Sequence, residues 1–318
     1  MAFFPLLIPV FISLNFIFLI FFLFRGKKGY IILSMIILLL GYKFFNRTYS
    51  IPANPSNESK VKLLSYNVRV FNSYMHLRTP EKTPDKIIKW VSENDADIKC
   101  FQELYHDPEV KLFNVMPILK KNSRYSYFEP ASVVLNQHFG LAIFSKYPVI
   151  RKGEVKFPKA TLNQAIFADI VIKKDTLRVY NVHLQSMSID EGNLTMYKSG
   201  NVYPRLKDLA KRIKRGAIYR SGQIQALMEH MKSCPHKIIL SGDLNDTPYS
   251  YSYEKLSEIM NNGFEEKGSG FGFTYNGKLF FLRIDNIFSD TRIKVDAFKT
   301  RRDIGFTDHY PLEISFSF

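Results

Sequence analysis

The sequence predicts an α+β fold, with β-sheets stacked on one another and helices outside, behind an apolar N-terminal membrane segment. Three observations lead there. Strand-like apolar runs recur from Lys60 onward: "KVKLLSYNV", "DIKCFQE", "GLAIFSK", "QAIFADIVI", "LRVYNVHL", "KIILSGDL", "FLRIDNIF", "IKVDAFKT" and "PLEISFSF". Several are apolar at successive positions, as strands covered on both faces are. Two stretches carry a helical period instead, and residues 1–24 hold no charged side chain.

In chain order, the first element is the membrane segment. Twenty-four apolar or small residues suffice for a helix across a bilayer, which needs roughly 20. A cleaved signal peptide fits less well, because a basic start and a small-residue cleavage pattern are both missing. The turn "RGKKG" follows, then "YIILSMIILLLGY", within the 14 residues between Lys28 and Lys43. This second run spans if Lys43 snorkels and Tyr42, Phe44 and Phe45 sit at the interface. Residues 1–47 therefore read as a transmembrane helical hairpin. Arg25, Lys27 and Lys28 in the turn place it on the cytoplasmic side, so all that follows lies on the exoplasmic or periplasmic face. "TYSIPANPSNESK", residues 48–60, has two prolines and no period, and reads as a linker.

Within residues 61–318, "TPDKIIKWVSEND" places Ile87, Ile88 and Val91 on one helix face, with Pro84 near its start. Between Arg205 and Met231, Leu206, Leu209, Ala210, Ile213 and Ala217 mark one face, and Ile224, Leu227, Met228 and Met231 another. Gly216 and Gly222 are expected to break this stretch into two helices.

Composition narrows the function. Hydrophobic residues make up 46% of the 318, which excludes fold-level disorder. The two cysteines, Cys100 and Cys234, form no CxxC pair and no zinc spacing, so neither a zinc module nor a disulfide framework is indicated. Cys100 lies in an apolar run and reads as a buried thiol. The formal net charge is +15. A chain this basic attracts polyanions or anionic surfaces, with simple solubility as the plainer reading.

The polar residues at strand ends carry the chemistry. "LLSYN" ends in Asn67, "CFQE" in Glu103, "YNVH" in His183, and "LSGDLN" in Asp243 and Asn245. "LRID" carries Asp285, and "FTDHYPL" carries Asp308 and His309. One such residue is more often a satisfied core polar group than a catalytic one. Six segments in one chain indicate a common partner, because each buried acid costs several kcal/mol unless paired or metal-bound. Glu103, Asp308 and Asn67 are hard oxygen donors suited to Mg²⁺ or Mn²⁺. His183 and His309 can donate to phosphate oxygens, and Asp243 with Asn245 can hold an attacking water. A hard cation, an oriented water and cationic donors describe phosphoester hydrolysis.

"SYNVR", "FQE", "GLAIFSK", "NVHL", "GDLNDTP", "RIDNIF" and "TDHYP" occur in an order that resembles the endonuclease/exonuclease/phosphatase family of deoxyribonuclease I-like phosphoesterases. The resemblance covers Val61 to Phe318. It implies a catalytic domain built as a four-layer α/β/β/α sandwich of two mixed β-sheets, with the active site at one sheet edge. It implies metal ligation by Glu103, Asn67 and Asp308. By the same resemblance His183 binds the scissile phosphate, Asp243 positions or activates the water beside Asn245, and Asp285 orients His309. Where the family often has tyrosine after the "RID" aspartate, this chain has Asn286. Tyr105, Tyr125 and Tyr127 are candidates for the family's active-site tyrosine, with packing as the competing role for each.

Substrate choice rests on weaker features. "RLKDLAKRIKRGAIYR" holds one acid, Asp208, among many bases, and its basic face suits nucleic-acid phosphates or anionic headgroups, or is simply solvated. "GSGFGFTYNG" is an aromatic loop that can stack a base or touch lipid, with a plain surface loop as its simpler reading. Three functions follow: a membrane-anchored phosphodiesterase or phosphatase for lipid headgroups or small phosphoesters, a nuclease for DNA or RNA, and an inactive binding module of the same fold. The complete polar set argues against the third. The partners implied are a phosphoester and the membrane; no protein partner is inferable.

Overall fold

Leu63 and Leu64 face opposite ways, and that alternation generates the layers. The computed structural model of the chain describes residues 4–51, 61–73, 84–187 and 202–317. Its first large sheet has the order β13-β14-β2-β3-β5-β4. These strands are β2 (Val61–Asn67), β3 (Ile98–His106), β4 (Tyr125–Val134), β5 (Gln137–Ser145), β13 (Lys294–Thr300) and β14 (Leu312–Ser317). The second has the order β10-β12-β9-β8-β7-β6. Its strands are β6 (Val149–Glu154), β7 (Gln164–Ile172), β8 (Asp175–His183), β9 (Lys237–Asp243), β10 (Met260–Asn262) and β12 (Asp285–Asp290). Both sheets are mixed: β2 with β3 and β8 with β9 run parallel, and the other pairs antiparallel.

Leu63, Ile143, Val179, Ile239, Ile287 and Ile314 point between the sheets and form the central core. Their chain neighbours point the other way. Leu64 and Tyr66 pack with Ile87, Ile88 and Val91 of α4 (Pro84–Glu93) and with Leu119 of α5 (Val115–Lys120). Tyr180, Val182 and Leu240 pack with Ile224, Leu227 and Met231 of α6 (Val202–Lys232) and with Leu256 of α7 (Tyr251–Ser257). The central strands thus bury both faces, in the α/β/β/α sandwich expected from the sequence. Fully burying a Leu, Ile or Phe contributes about 1.5–3 kcal/mol, so this doubly covered arrangement is the main source of stability.

The expected break at Gly216 and Gly222 does not occur; α6 is one helix of 31 residues. Ile213, Ala217, Arg220, Ile224, Leu227 and Met231 repeat at alternating steps of four and three, so one stripe runs through both glycines. A glycine costs about 1 kcal/mol in a helix, less than that continuous burial returns. Arg220 interrupts the apolar pattern in sequence yet is buried in space.

At the N-terminus, α1 (Phe4–Phe24) rises about 31 Å over its 21 residues. It is long and apolar enough to cross a membrane, and its 18-residue apolar window has none of its residues buried. The second run forms α2 (Lys28–Leu40), 13 residues packed on α1 through the Phe22–Tyr30 ring stack and the Asn15 amide on Ser34 O. It is too short to span alone and bends by 65° into α3 (Tyr42–Thr48). The Lys43 ammonium pairs with Glu254 of α7. Beyond α3, Tyr49–Ser50 (β1) pairs with Gly270–Phe271 (β11). Most of the expected linker, residues 52–60, lies outside the described residues.

Gly242 sits in β9 at φ +139, and a Cβ there would lie 2.0 Å from Val182 O on the neighbouring strand. Only glycine allows β8 and β9 this approach. Gly242→Ala is therefore expected to destabilise the protein by about 3 kcal/mol or more, read as a lowered Tm in thermal unfolding.

Candidate active site

The same period-two alternation that builds the core also builds the site. On the face of the second sheet that looks toward the first, Ile239 is followed by Ser241 and Asp243, and Val179 by Asn181 and His183. In the first sheet, Leu63 is followed by Ser65 and Asn67. Each strand passes from an apolar residue through a small or amide side chain to a reactive one at its end. Pairing register then aligns the ends: Asp285 lies opposite Asp243 on β9, and Asp243 opposite His183 on β8. Residues paired in register share a face, so these three form one row.

β3 breaks the alternation. Gln102 faces between the sheets, which would turn Glu103 toward the helices. The pairing of β3 with β5 shifts register between Phe101 and Leu104, and Glu103 takes a left-handed φ of 51. This bulge brings the carboxylate to the row. The Asn67 amide donates to Glu103 Oε1 at 3.3 Å and to Asp243 Oδ2 at 3.2 Å. His183 Nε2 lies 3.7 Å from Glu103 Oε1 and 3.8 Å from Asp243 Oδ2. Asn245, at φ 50, donates its N–H to Asp243 Oδ1 at 2.8 Å and its side-chain amide to Leu184 O at 2.9 Å. Beneath the row, Gln102 Nε2 donates to Asn181 Oδ1 at 2.6 Å, and the Asn181 amide donates to Phe101 O and Ala142 O. These bonds tie the two sheets together directly under the site.

The last contributors come from the loop before β14. His309 Nδ1 lies 2.9 and 3.1 Å from the two Asp285 oxygens, and its Nε2 is 3.9 Å from Asp243 Oδ2 and from Asp308 Oδ1. Thr307 fixes this loop: its hydroxyl donates to Asn67 O and accepts the His309 N–H. The eight residues singled out in the sequence, Asn67, Glu103, His183, Asp243, Asn245, Asp285, Asp308 and His309, all converge here.

Several neighbours were not singled out. Arg69 pairs with Asp308 Oδ2 at 3.0 Å, carried there by a left-handed turn at Arg69–Asn72. Thr274 Oγ1 accepts the N–H groups of Ile284 and Asp285. Tyr275 sets its ring edge-on to His309, with centroids 5.5 Å apart. Arg69 stands within "SYNVR" and Thr307 beside "TDH", so those signals existed; Tyr275 had none beyond lying in an aromatic loop. Of the three tyrosines weighed, Tyr105 bonds Asp107 and Tyr127 bonds Glu129, while Tyr125 is exposed; none contacts the row. Asn286 faces away, toward Asn262.

Electrostatics divides the roles. Burial, joined by the charge of Asp285, pushes the Asp243 carboxyl up to about 6. Burial also raises Glu103, opposed by His309, and lowers His183 toward its neutral form. Burial opposes charge on His309 as well, but the carboxylates of Asp285, Asp243 and Asp308 outweigh it and hold the ring protonated well above the usual histidine range.

The donor set fits a hard divalent cation. Asp308 Oδ1 is buried with no hydrogen-bond partner among the described residues, and Glu103 is a carboxylate destabilised by desolvation. Both are conditions that a cation relieves. Asp243, Asp285 and His309 also place one ligand atom each within 4.8 Å of one another. Asp285 and His309 Nδ1 already satisfy each other, so that trio reads better as an acid–imidazole pair facing a carboxylate.

A family model described as the Endonuclease/Exonuclease/phosphatase family matches residues 64–309. A second, described as Domain of unknown function (DUF8431), matches residues 1–48. No curated protein sequence matches the chain. Among solved structures, an endonuclease/exonuclease/phosphatase family protein from Leptotrichia buccalis aligns over 81% of this chain and 100% of its own, with 16% identity and a TM-score of 0.58. An endonuclease/exonuclease/phosphatase from Bacteroides vulgatus aligns over 82% and 99%, with 14% identity and a TM-score of 0.59. The human Nocturnin catalytic domain with bound sulfate aligns over 84% and 96%, with 17% identity and a TM-score of 0.58. At these identities the structural likeness speaks for the fold.

Proposed function

The chain belongs to the endonuclease/exonuclease/phosphatase family of metal-dependent phosphoester hydrolases, and from that premise we propose that it is a membrane-anchored phosphodiesterase or phosphomonoesterase using Mg²⁺ or Mn²⁺. Residues 1–47 are the anchor and 61–318 the catalytic domain; with α2 and α3 counted together as one bent return span, the basic turn at Arg25–Lys28 puts that domain on the exoplasmic side of the cytoplasmic membrane. One observation carries the reading: the row His183–Asp243–Asp285, facing Asn67 and Glu103, with the His309 ring braced by Asp285 at its end.

Glu103 and Asp308 would hold the cation; Asn67, the third expected ligand, instead turns its amide N–H groups to Glu103 and Asp243 and its Oδ1 to the Arg69 N–H, and so orders the carboxylates. The cation, when bound, supplies charge stabilisation to the phosphoryl oxygens. Asp243, ionised above about pH 6, aligns the attacking water and takes its proton, with its second oxygen fixed by the Asn245 N–H. His183, neutral by burial, donates to a phosphoryl oxygen. His309, protonated and held by Asp285, donates to an oxygen that gains charge as the ester bond breaks.

The test uses the whole chain, because Arg47 of α3 is buried against α7 and a fragment starting at Lys60 lacks it. Bis-(p-nitrophenyl) phosphate, sphingomyelin, phosphoinositides, plasmid DNA and RNA are assayed with Mg²⁺ or Mn²⁺ and with chelator. Chelation is expected to abolish turnover, and Glu103→Gln to raise the half-saturating metal concentration at least about tenfold. Turnover of no phosphoester, or an unchanged metal dependence in Glu103→Gln, refutes the proposal. A nuclease remains the second reading, favoured by the exposed Lys207, Lys211, Lys214 and Arg215 on α6. Steep loss of DNA or RNA cleavage between 50 and 200 mM salt, on the order of 10³-fold, would select it.

A further inference from the structure

Between the N-terminal helices and the catalytic domain runs a groove of about 750 Å³, within the roughly 300–1,000 Å³ range of ligand sites. Pro9 and Phe16 of α1 and Phe45 of α3 form one wall; Tyr249, Phe273 and Phe281 form the other. The lining is almost wholly apolar. Its two cations are already engaged: Arg47 by Glu254 and Pro248 O, and Arg283 by Asn262 Oδ1 and the Tyr253 hydroxyl.

Three features identify what fills it. One wall belongs to α1, whose apolar window, Leu7–Phe24, has a mean hydropathy of 2.7 and no buried residue. With α1 in a bilayer, the groove opens from the hydrocarbon. The opposite wall exposes aromatic rings on a domain otherwise built for water: Phe271 and Phe281 are each about half exposed. And every segment of that wall leads straight into the active site. Tyr249 lies four residues past Asn245, Phe273 precedes Thr274 and Tyr275, and Phe281 precedes Asp285.

We propose that this groove binds an acyl chain of a bilayer lipid, so that the hydrolase's substrate is a lipid-borne phosphoester drawn laterally from the membrane. The inference rests on the membrane-anchored hydrolase proposed above. It makes the anchor part of the substrate site rather than a tether alone.

The full-length protein is reconstituted in phosphatidylcholine vesicles that include a phosphatidylcholine with a diazirine at mid-acyl chain. Irradiation is expected to label peptides containing Tyr249, Phe273 or Phe281 as well as α1 and α2. Ser13→Trp, which fills the groove from α1, is expected to cut the catalytic-domain adducts at least fivefold while α2 remains labelled. It is also expected to lower the kcat/KM ratio of dipalmitoyl over dihexanoyl substrate about tenfold. Adducts confined to α1 and α2, or catalytic-domain adducts unchanged in Ser13→Trp, overturn the groove assignment. Adducts nowhere on the chain overturn both the groove and the membrane anchor. Labelling decides the groove even if no phosphoester is hydrolysed, a result that would strike the hydrolase reading instead.

Discussion

His309→Ala is expected to lower kcat for bis-(p-nitrophenyl) phosphate about 10³-fold while changing KM less than about threefold. The ring is buried, braced by Asp285 at 2.9 Å, and faces Asp243 and Asp308. A group held protonated in that position acts on charge that develops during ester cleavage, so its loss falls on kcat. The pH profile carries the same assignment. Asp243, raised to about 6 by burial and Asp285, must be ionised, so the rate climbs with pH up to about 6 or lower once a cation is bound. His309 must stay protonated, so the alkaline limb falls well above the ordinary histidine value. Asp285→Asn removes the anion that contributes most to that rise. The alkaline limb should then shift toward lower pH, with a kcat loss of about 10²-fold or more. An alkaline limb that stays put in Asp285→Asn assigns it to some other group and ends this role for His309.

Much of this was legible because the chain repeats one pattern. Strands covered on both faces are apolar at successive positions, and the runs "IIL" of "KIILSGDL" and "AIFA" of "QAIFADIVI" show it. The site was legible for a related reason, since an acid or imidazole at the end of such a strand is conspicuous. What stayed hidden lacks that contrast. β4 and β6 are edge strands with mostly half-exposed or exposed residues, so no apolar run announces them. The bulge at Glu103 depends on how β3 pairs with β5, a long-range fact. Tyr275 meets His309 only because the loop of residues 273–276 bridges to the segment before β14. Arg220 misled most: a base among bases reads as solvated surface, yet here it lies in the buried stripe of α6.

Asp246→Ala is expected to destabilise the protein by about 3–5 kcal/mol, as the loss of one partner from a buried ion pair does. Arg220 is 1% exposed and reaches the loop after β9, where Nε meets Asp246 Oδ2 at 2.9 Å and Nη1 meets Gln185 O at 2.8 Å. Gly216 makes room, since a Cβ there would come within 3.0 Å of that guanidinium. Without Asp246 the buried cation keeps one carbonyl in place of a carboxylate. At roughly 2–4 °C per kcal/mol for a domain of this size, Tm should fall on the order of 10 °C. The double variant Arg220→Met with Asp246→Ala removes both charges and keeps the packing, so it should recover most of that loss. Lys214→Ala, on the exposed face of the same helix, should leave the unfolding free energy within about 0.5 kcal/mol of the parent. The pair also anchors Asn245, one residue before Asp246, whose N–H fixes Asp243. Asp246→Ala should therefore lower kcat at temperatures where the protein is still folded, and the double variant should stay slow even as its stability returns. Equal Tm values for Asp246→Ala and the parent would show that α6 is held by its apolar stripe alone, and that the active-site loop stands without it.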